Sequence, residues 1–313
     1  MNRILVIRGG AIGDFVLTLP AIKLLRDRFP QSHLEILGYK HIAVLAENRF
    51  YANATRSLES GPLARFFARS AELPPDLVAY FRSFDLIVSY LFDPDQIFGA
   101  NLRRCGTFEF ICGPSKLSNE THAGYQLAQP LAKIGLYPRA AAAHLYPTEA
   151  DRGAARVFLG DHARPLIALH PGSGSPRKNW PVKCWRDLGS WILDEITGSS
   201  LLVVGGEADG RQAKELRQSW NISRVQFAVD QPLPLLAALL ADCAMFLGHD
   251  SGVSHIAAAV GTRSILLFGP TVPAVWAPTN PKVEILRSSD GALTSITVDE
   301  VKRAIRAALE LSS

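Results

Sequence analysis

The chain of 313 residues has four cysteines, Cys105, Cys112, Cys184 and Cys243, and no pair of them is spaced as C-x-x-C. That argues against a zinc site and reads as buried reduced thiols in a cytosolic protein. Long apolar runs are also missing. The most apolar stretch, Leu233 to Leu247, contains Asp242 and is short for a membrane span. Near the N-terminus, Arg8 and Asp14 interrupt the apolar residues, which argues against a secretory signal. There is no dense Lys/Arg stripe interleaved with aromatics, so the formal charge of +4 does not point to nucleic acid and fits acidic substrates instead. A soluble cytoplasmic protein is expected, with peripheral contact at the inner face of a membrane left open.

What is present is ample core. Hydrophobic residues make up 48% and charged residues 20%, and the length exceeds what one hydrophobic core usually serves. Short, nearly continuous apolar runs alternate with longer helical patterns. The first half reads as strands at 3–8, 33–37, 84–91 and 108–112, with helices at 14–29, 42–48, 95–104 and 121–134. Runs apolar throughout belong to parallel strands covered on both faces, and the alternation predicts an open α/β sheet with right-handed crossovers. The pattern then restarts. Strands are expected at 166–170, 201–204, 244–247, 264–268 and 283–286, and helices at 184–196, 207–218, 233–240, 251–260 and 298–311. The segment 137–165, punctuated by Pro147 and Pro165, carries a further helix at about 148–159 and marks the junction. Two similar halves predict ligands at the carboxyl ends of the strands, in a cleft between domains.

The first loop, "IRGGAIGDF" at 7–15, has two of the glycines of a dinucleotide turn, Gly10 and Gly13, but Arg8 stands at the position of the first. The second strand ends in Gly38 without a ribose-binding acid. Asp14 would occupy the positive field at the helix start and repel a pyrophosphate. Two readings of Asp14 stay open here, a helix N-cap and a general base. Gly10 and Gly13 would let a bulky substrate approach the backbone.

The second half gathers phosphate-friendly loops. In "HPGSGSPRKNWP" (170–181), Ser173, Gly174 and Ser175 offer amides and hydroxyls without bulk, and Arg177 and Lys178 add charge. His170 reads as a structural hydrogen-bonding residue. In "GHDSGVSHIAAAVGTRSILLFGPT" (248–271), Asp250 or Ser251 can cap a helix whose first amides, with Gly252, form an anion site. His255 lies one turn further and reads equally as a packed residue or a phosphate ligand. Gly206 and Glu207 close another strand, and Glu207 or Asp209 can accept from ribose hydroxyls. Phosphate loops in one half and an isolated carboxylate in the other suit transfer from a nucleotide-activated donor to an acceptor hydroxyl.

Together, "ILVIRGGAIGDFVLTLPAIKLLRDRFP", "HPGSGSPRKNWP" and "GHDSGVSHIAAAVGTRSILLFGPT" resemble glycosyltransferase family 9, the ADP-heptose:lipopolysaccharide heptosyltransferases. The resemblance spans almost the whole chain. It implies an α/β GT-B fold with two Rossmann-like, doubly wound domains facing a central cleft. An acceptor domain is expected at 1–150 and a nucleotide-sugar domain at 151–296, with a helix at 297–313 that packs back on the first domain. It implies inverting transfer of heptose from ADP-heptose to a glycan such as the lipopolysaccharide inner core, near the inner membrane, with no cofactor and no metal. Asp14 would be the base, with Gly10 and Gly13 on the acceptor side. Lys178 would meet the donor phosphates, with Asp250, Ser251, Gly252 and His255 around the nucleotide; the reading of the loops adds Ser173, Gly174, Ser175, Gly206 and Glu207 on that side. The first loop departs from the family's common Ser-rich versions in having Gly9-Gly10-Ala11. Asp93-Pro94-Asp95 matches the D-x-D of metal-dependent glycosyltransferases, but it reads as a turn or cap, far in sequence from the nucleotide loops. The rival readings are a UDP-sugar transferase or epimerase, and a non-catalytic nucleotide- or glycan-binding protein.

Overall fold

The computed structural model describes residues 1–114, 116–161, 164–206, 210–220 and 222–309. The chain divides into two compact units, Met1–Ala141 and Ala142–Ser313. The strands are β1 Arg3–Arg8, β2 His33–Gly38, β3 Ala54–Ser57, β4 Leu86–Ser89 and β5 Glu109–Cys112 in the first unit. In the second they are β6 Leu166–Leu169, β7 Ser200–Gly205, β8 Val225–Val229, β9 Met245–His249, β10 Ser264–Phe268 and β11 Val283–Arg287. The helices of the first unit are α1 Ile12–Arg28, α2 Lys40–Ala43, α3 Pro75–Arg82, α4 Ile97–Arg103 and α5 Ala123–Ala128. Those of the second are α6 Glu149–Leu159, α7 Val182–Glu195, α8 Gly210–Ser219, α9 Leu233–Ala241, α10 Gly252–Ala259, α11 Pro273–Trp276 and α12 Val298–Ala308.

Among the described residues the first sheet runs β3-β2-β1-β4-β5 and the second β11-β10-β9-β6-β7-β8. All the pairings are parallel. Side chains on both faces of β1 are buried, with Ile4, Leu5, Val6 and Ile7 fully covered, as the continuous apolar runs require. In each sheet the strand order reverses once beside the first strand. In the first unit the reversal falls between β1 and β4, where Ile7 pairs with Ser89. In the second it falls between β6 and β9, where Leu169 pairs with Leu247. Open parallel sheets bind ligands outside the carboxyl ends of such switch strands.

Most expected elements are present, and the exceptions have local causes. The edge strands β3 and β8 were not expected: β3 reads Ala-Thr-Arg-Ser and has no apolar run, and its extended form comes from pairing with β2. The expected helix over 121–134 stops at Ala128 and tightens into a 3₁₀ turn over 129–134, because Pro130 cannot donate to a continuing α-helix. α6 starts as read, with Thr148 accepting from Asp151 N–H at 3.2 Å and Asp151 Oδ2 accepting from Thr148 N–H at 2.7 Å. The last helix, expected to return to the first domain, packs on α7 and buries Val301, Ala304 and Ile305 in the core of the second unit.

Candidate active site

The first unit presents the turn between β1 and α1. Gly10 has φ +95°, a left-handed conformation that favours glycine, and a Cβ built on it would lie 2.8 Å from Asp14 Oδ2. The glycine therefore leaves room for the carboxylate of Asp14, rather than for an approaching substrate. Gly13 lies in the first turn of α1. The helix begins at Ile12, two residues earlier than expected, so Asp14 is its third residue and Ala11 the cap. Asp14 caps from inside: its Oδ2 accepts from the Ala11 N–H at 2.9 Å. Ala11 has no side chain to reciprocate, so this is half of a capping box.

The other carboxylate oxygen, Oδ1, lies 3.3 Å from Nη2 of Arg8. In the sequence Arg8 stood as a break in a glycine pattern and in the N-terminal apolar residues, not as a site residue. In the fold its guanidinium is inside: the side chain is 11% exposed, against 41% for Asp14. Arg8 Nε donates to Thr18 Oγ1 at 2.9 Å, Nη2 to the Asp14 carbonyl at 3.2 Å, and Nη1 to the Tyr90 carbonyl at 3.4 Å. Burial pulls this guanidinium below its ordinary pKa, and the neighbouring Asp14 carboxylate offsets part of that. The signal that marks it in sequence is a charged residue at a strand's carboxyl end, six positions before an acid.

Beside this turn, at the carboxyl ends of β4 and β5, lies a cavity of about 330 Å³ lined by Ser89, Leu91, Asp93, Arg103, Phe110 and Cys112. A Cβ on Gly9 would meet Leu91 Cδ2 at 3.2 Å, so the cavity adjoins the Asp14 turn. Arg103 lies over the Phe110 ring, 5.1 Å from its centroid. Asp93 is committed to the start of α4, accepting from Phe98 N–H at 3.2 Å and Gly99 N–H at 2.8 Å, and Asp95 pairs with Arg69 at 3.8 Å. The D-x-D stretch thus has the turn-and-cap role read from its sequence.

The second unit places the other candidates at its own switch point. The loop after β6 folds over the end of β9. Lys178, in a 3₁₀ turn over Pro176–Lys178, sets its Nζ 2.6 Å from Asp250 Oδ2 just past β9, joining two motifs 72 residues apart. Asp250 is therefore the partner of Lys178, and the cap of α10 is Ser251, whose Oγ accepts from Ser254 N–H at 3.3 Å. Gly252 opens that helix, and its first amides face away from intrahelical partners. His170 is buried and its Nδ1 lies 3.1 Å from Ser251 Oγ, the structural role read for it. His255 is also buried, within α10.

Ser173 departs from its expected part as a phosphate ligand. Its hydroxyl turns inward, 2.8 Å from the Ser175 carbonyl and 2.6 Å from Asn179 Oδ1, and it accepts from Ser175 N–H at 3.3 Å. A short side chain in a tight loop bonds its own backbone before it reaches solvent. Gly174 leaves open space where a Cβ would stand, and Ser175 precedes the 3₁₀ turn. Gly206 follows β7 at the same edge. Glu207 and Asp209 lie outside the described residues.

One residue that holds this loop was not singled out in sequence. His249, buried at the end of β9, accepts from the Trp180 N–H through Nε2 at 2.9 Å, so Nδ1 carries the proton and lies 3.3 Å from the Gly172 carbonyl. It clips both ends of the Lys178 loop. Trp180 is buried against Trp185 with ring centroids 5.2 Å apart, and its Nε1 donates to the Ile296 carbonyl at 2.9 Å.

Two open, all-parallel, doubly wound units, each with polar turns at its switch point, define the class as an α/β fold of the GT-B type. The chain belongs to glycosyltransferase family 9, the heptosyltransferase family, whose model matches residues 116–303. It is 31% identical over 145 residues to lipooligosaccharide heptosyltransferase 2 of Haemophilus influenzae, a match covering 45% of this chain and 41% of that protein. The chain thus spans less than half the length of that curated relative. It is 26% identical over 298 residues to lipopolysaccharide heptosyltransferase 1 of Pseudomonas aeruginosa, covering 87% of this chain and 79% of that one. The structure of the Escherichia coli ADP-heptose lipopolysaccharide heptosyltransferase II superposes with a TM-score of 0.83 at 19% identity, covering 99% of both chains. Among the described residues no helix is long and apolar enough to cross a membrane.

Proposed function

We propose that this protein transfers heptose from ADP-heptose to a hydroxyl of a lipopolysaccharide core or related glycan, with inversion and without a metal. The observation that carries the reading is the Asp14 carboxylate, exposed at the switch point of the first sheet and fixed from behind by Ala11 N–H and Arg8. In this mechanism Asp14 takes the proton of the acceptor hydroxyl. That oxygen forms its bond to the anomeric carbon of the donor as the bond from that carbon to the diphosphate oxygen breaks, and ADP leaves with the electron pair. A positioned base of this kind contributes roughly 10²–10⁴-fold.

The growing charge on the diphosphate falls to the second unit. Lys178 is held by Asp250 at 2.6 Å and set beside the amides that open α10, so cation and backbone dipoles are arranged before the donor arrives. The cavity beside the Asp14 turn is the place for the acceptor sugar, with the Phe110 face and Arg103 as its walls. Ser173 acts by holding its loop, while Lys178, Gly174, Ser175, Gly206, Ser251 and Gly252 face the nucleotide. The setting is the cytoplasmic side of the inner membrane, where the acceptor is a lipid-anchored glycan.

The test is transfer from ADP-heptose to truncated core acceptors, with Asp14→Asn as the control. The variant should bind ADP as the native protein does and lose turnover at least about a hundredfold. Native turnover in Asp14→Asn overturns the base assignment. Absence of transfer from ADP-heptose, with transfer from a UDP-sugar, overturns the donor.

A further inference from the structure

We infer that Arg8 is a positioning residue for the transfer, one that aims the Asp14 carboxylate without touching substrate. The inference rests on the reading of Asp14 as the base. An aspartate near the start of a helix has one soft torsion at its carboxylate, where two-fold rotation is broad and cheap. Ala11 N–H fixes Oδ2 and leaves that rotation open. The guanidinium of Arg8, 3.3 Å from Oδ1, closes it.

Arg8 can do this because it is itself fixed on three sides. Its anchors are the hydroxyl of Thr18 one turn along α1, the carbonyl of Asp14, and the carbonyl of Tyr90 just past β4. Thr18 is fully buried and also donates to the Asp14 carbonyl at 2.8 Å, so α1, β1 and the β4 turn are tied around one cation. The two partners divide the work by exposure: the cation is nearly covered and the carboxylate open to solvent. A buried cation without a counter-charge is costly, and among the described residues Asp14 is the carboxylate paired with Arg8. When Asp14 takes up a proton, three neutral oxygens still hold the guanidinium, so the turn survives the step that removes the ion pair.

The experiment compares Arg8→Gln and Arg8→Lys, each alone and combined with Asp14→Asn, by steady-state kinetics and by calorimetric titration with ADP. Arg8→Gln keeps a hydrogen-bond donor but loses the charge. It should lower kcat roughly 10–100-fold, the scale of a misaimed catalytic group, while ADP affinity is unchanged. Arg8→Lys should recover most of the loss. In the Asp14→Asn background Arg8→Gln should cost nothing further, because two residues acting as one unit are not additive. Where Arg8→Gln does not fold, Thr18→Val removes one anchor of the cation at nearly constant volume and should lower kcat with the same dependence on Asp14. Native kcat in the folded Arg8 and Thr18 variants overturns the inference, as does an equal loss with and without Asp14. If Asp14→Asn alone turns over normally, the base assignment fails first, and that result is distinct from either.

Discussion

Asp14 and Lys178 are both charged side chains at strand ends, yet the fold treats them differently. Asp14 has its charge partner behind it, buried, and its outer face open; Lys178 has its partner, Asp250, at its tip. The side chain of Lys178 is 32% exposed and that of Asp250 11%, so the pair is partly desolvated, and removing one member strands the other. Lys178→Ala should therefore weaken ADP binding and lower turnover, by roughly 10²-fold or more in kcat/KM if the ammonium stabilises the leaving diphosphate. Asp250→Asn should loosen the lysine and raise KM for the donor with a smaller effect on kcat. Kinetics on both variants checks the order, and a larger kcat loss in Asp250→Asn would count against it. Residue type together with the family resemblance marked Asp14, Lys178 and Ser251 as candidates. Arg8 and His249 were not legible in this way, because the Tyr90 carbonyl and the Trp180 N–H that they bind come from distant parts of the chain, and the inward turn of Ser173 was not, because it depends on how its own loop folds.

At the scale of elements, the ends of helices were easier to read than the edges of sheets. Thr297 and Glu300 form a reciprocal cap at the start of α12, with Thr297 Oγ1 accepting from Glu300 N–H at 3.2 Å and Glu300 Oε2 accepting from Thr297 N–H at 2.6 Å. The hydrogen bonds to Thr297 hold the Glu300 carboxyl below its ordinary pKa. A depressed carboxylate stabilises the fold above its unfolded pKa, and that contribution is lost as pH falls through the folded value. Thr297→Ala should cost about 1 kcal/mol, read as a lowered Tm near neutral pH, and the gap between variant and native protein should narrow below about pH 4. A gap that widens on acidification would contradict this. Capping of this kind is local, within four residues, and so is visible in sequence. β3 and β8 depend on partners about 20 residues away along the chain; β3 has no apolar run of its own, whereas β8, Val-Gln-Phe-Ala-Val, carries strand residues that were not singled out in the sequence.

At the scale of the molecule, the two units repeat one solution: a parallel sheet, one reversal of strand order, and polar turns outside it. We assign the donor to the second unit and the acceptor to the first. ADP at a hundred times its Kd should stabilise the protein by about 2.7 kcal/mol. In hydrogen exchange the added protection should fall on 170–181 and 248–255, leaving 8–18 unchanged. Protection of 8–18 by ADP alone would reverse the assignment of the units.

By itself the sequence determined the class of the protein. Apolar periodicity, small-residue turns and the order of three motifs are local properties, and they suffice for two parallel α/β units and for the family. Tertiary structure alone decided which partner each charge has. It joined Lys178 to Asp250 across 72 residues and tied Arg8 to the Tyr90 carbonyl at the end of the neighbouring strand, 82 residues away. The reason is range. A helix or a strand is fixed by contacts a few residues apart, whereas an ion pair at a strand end is fixed by which strands lie side by side, and strand order is written in no single segment.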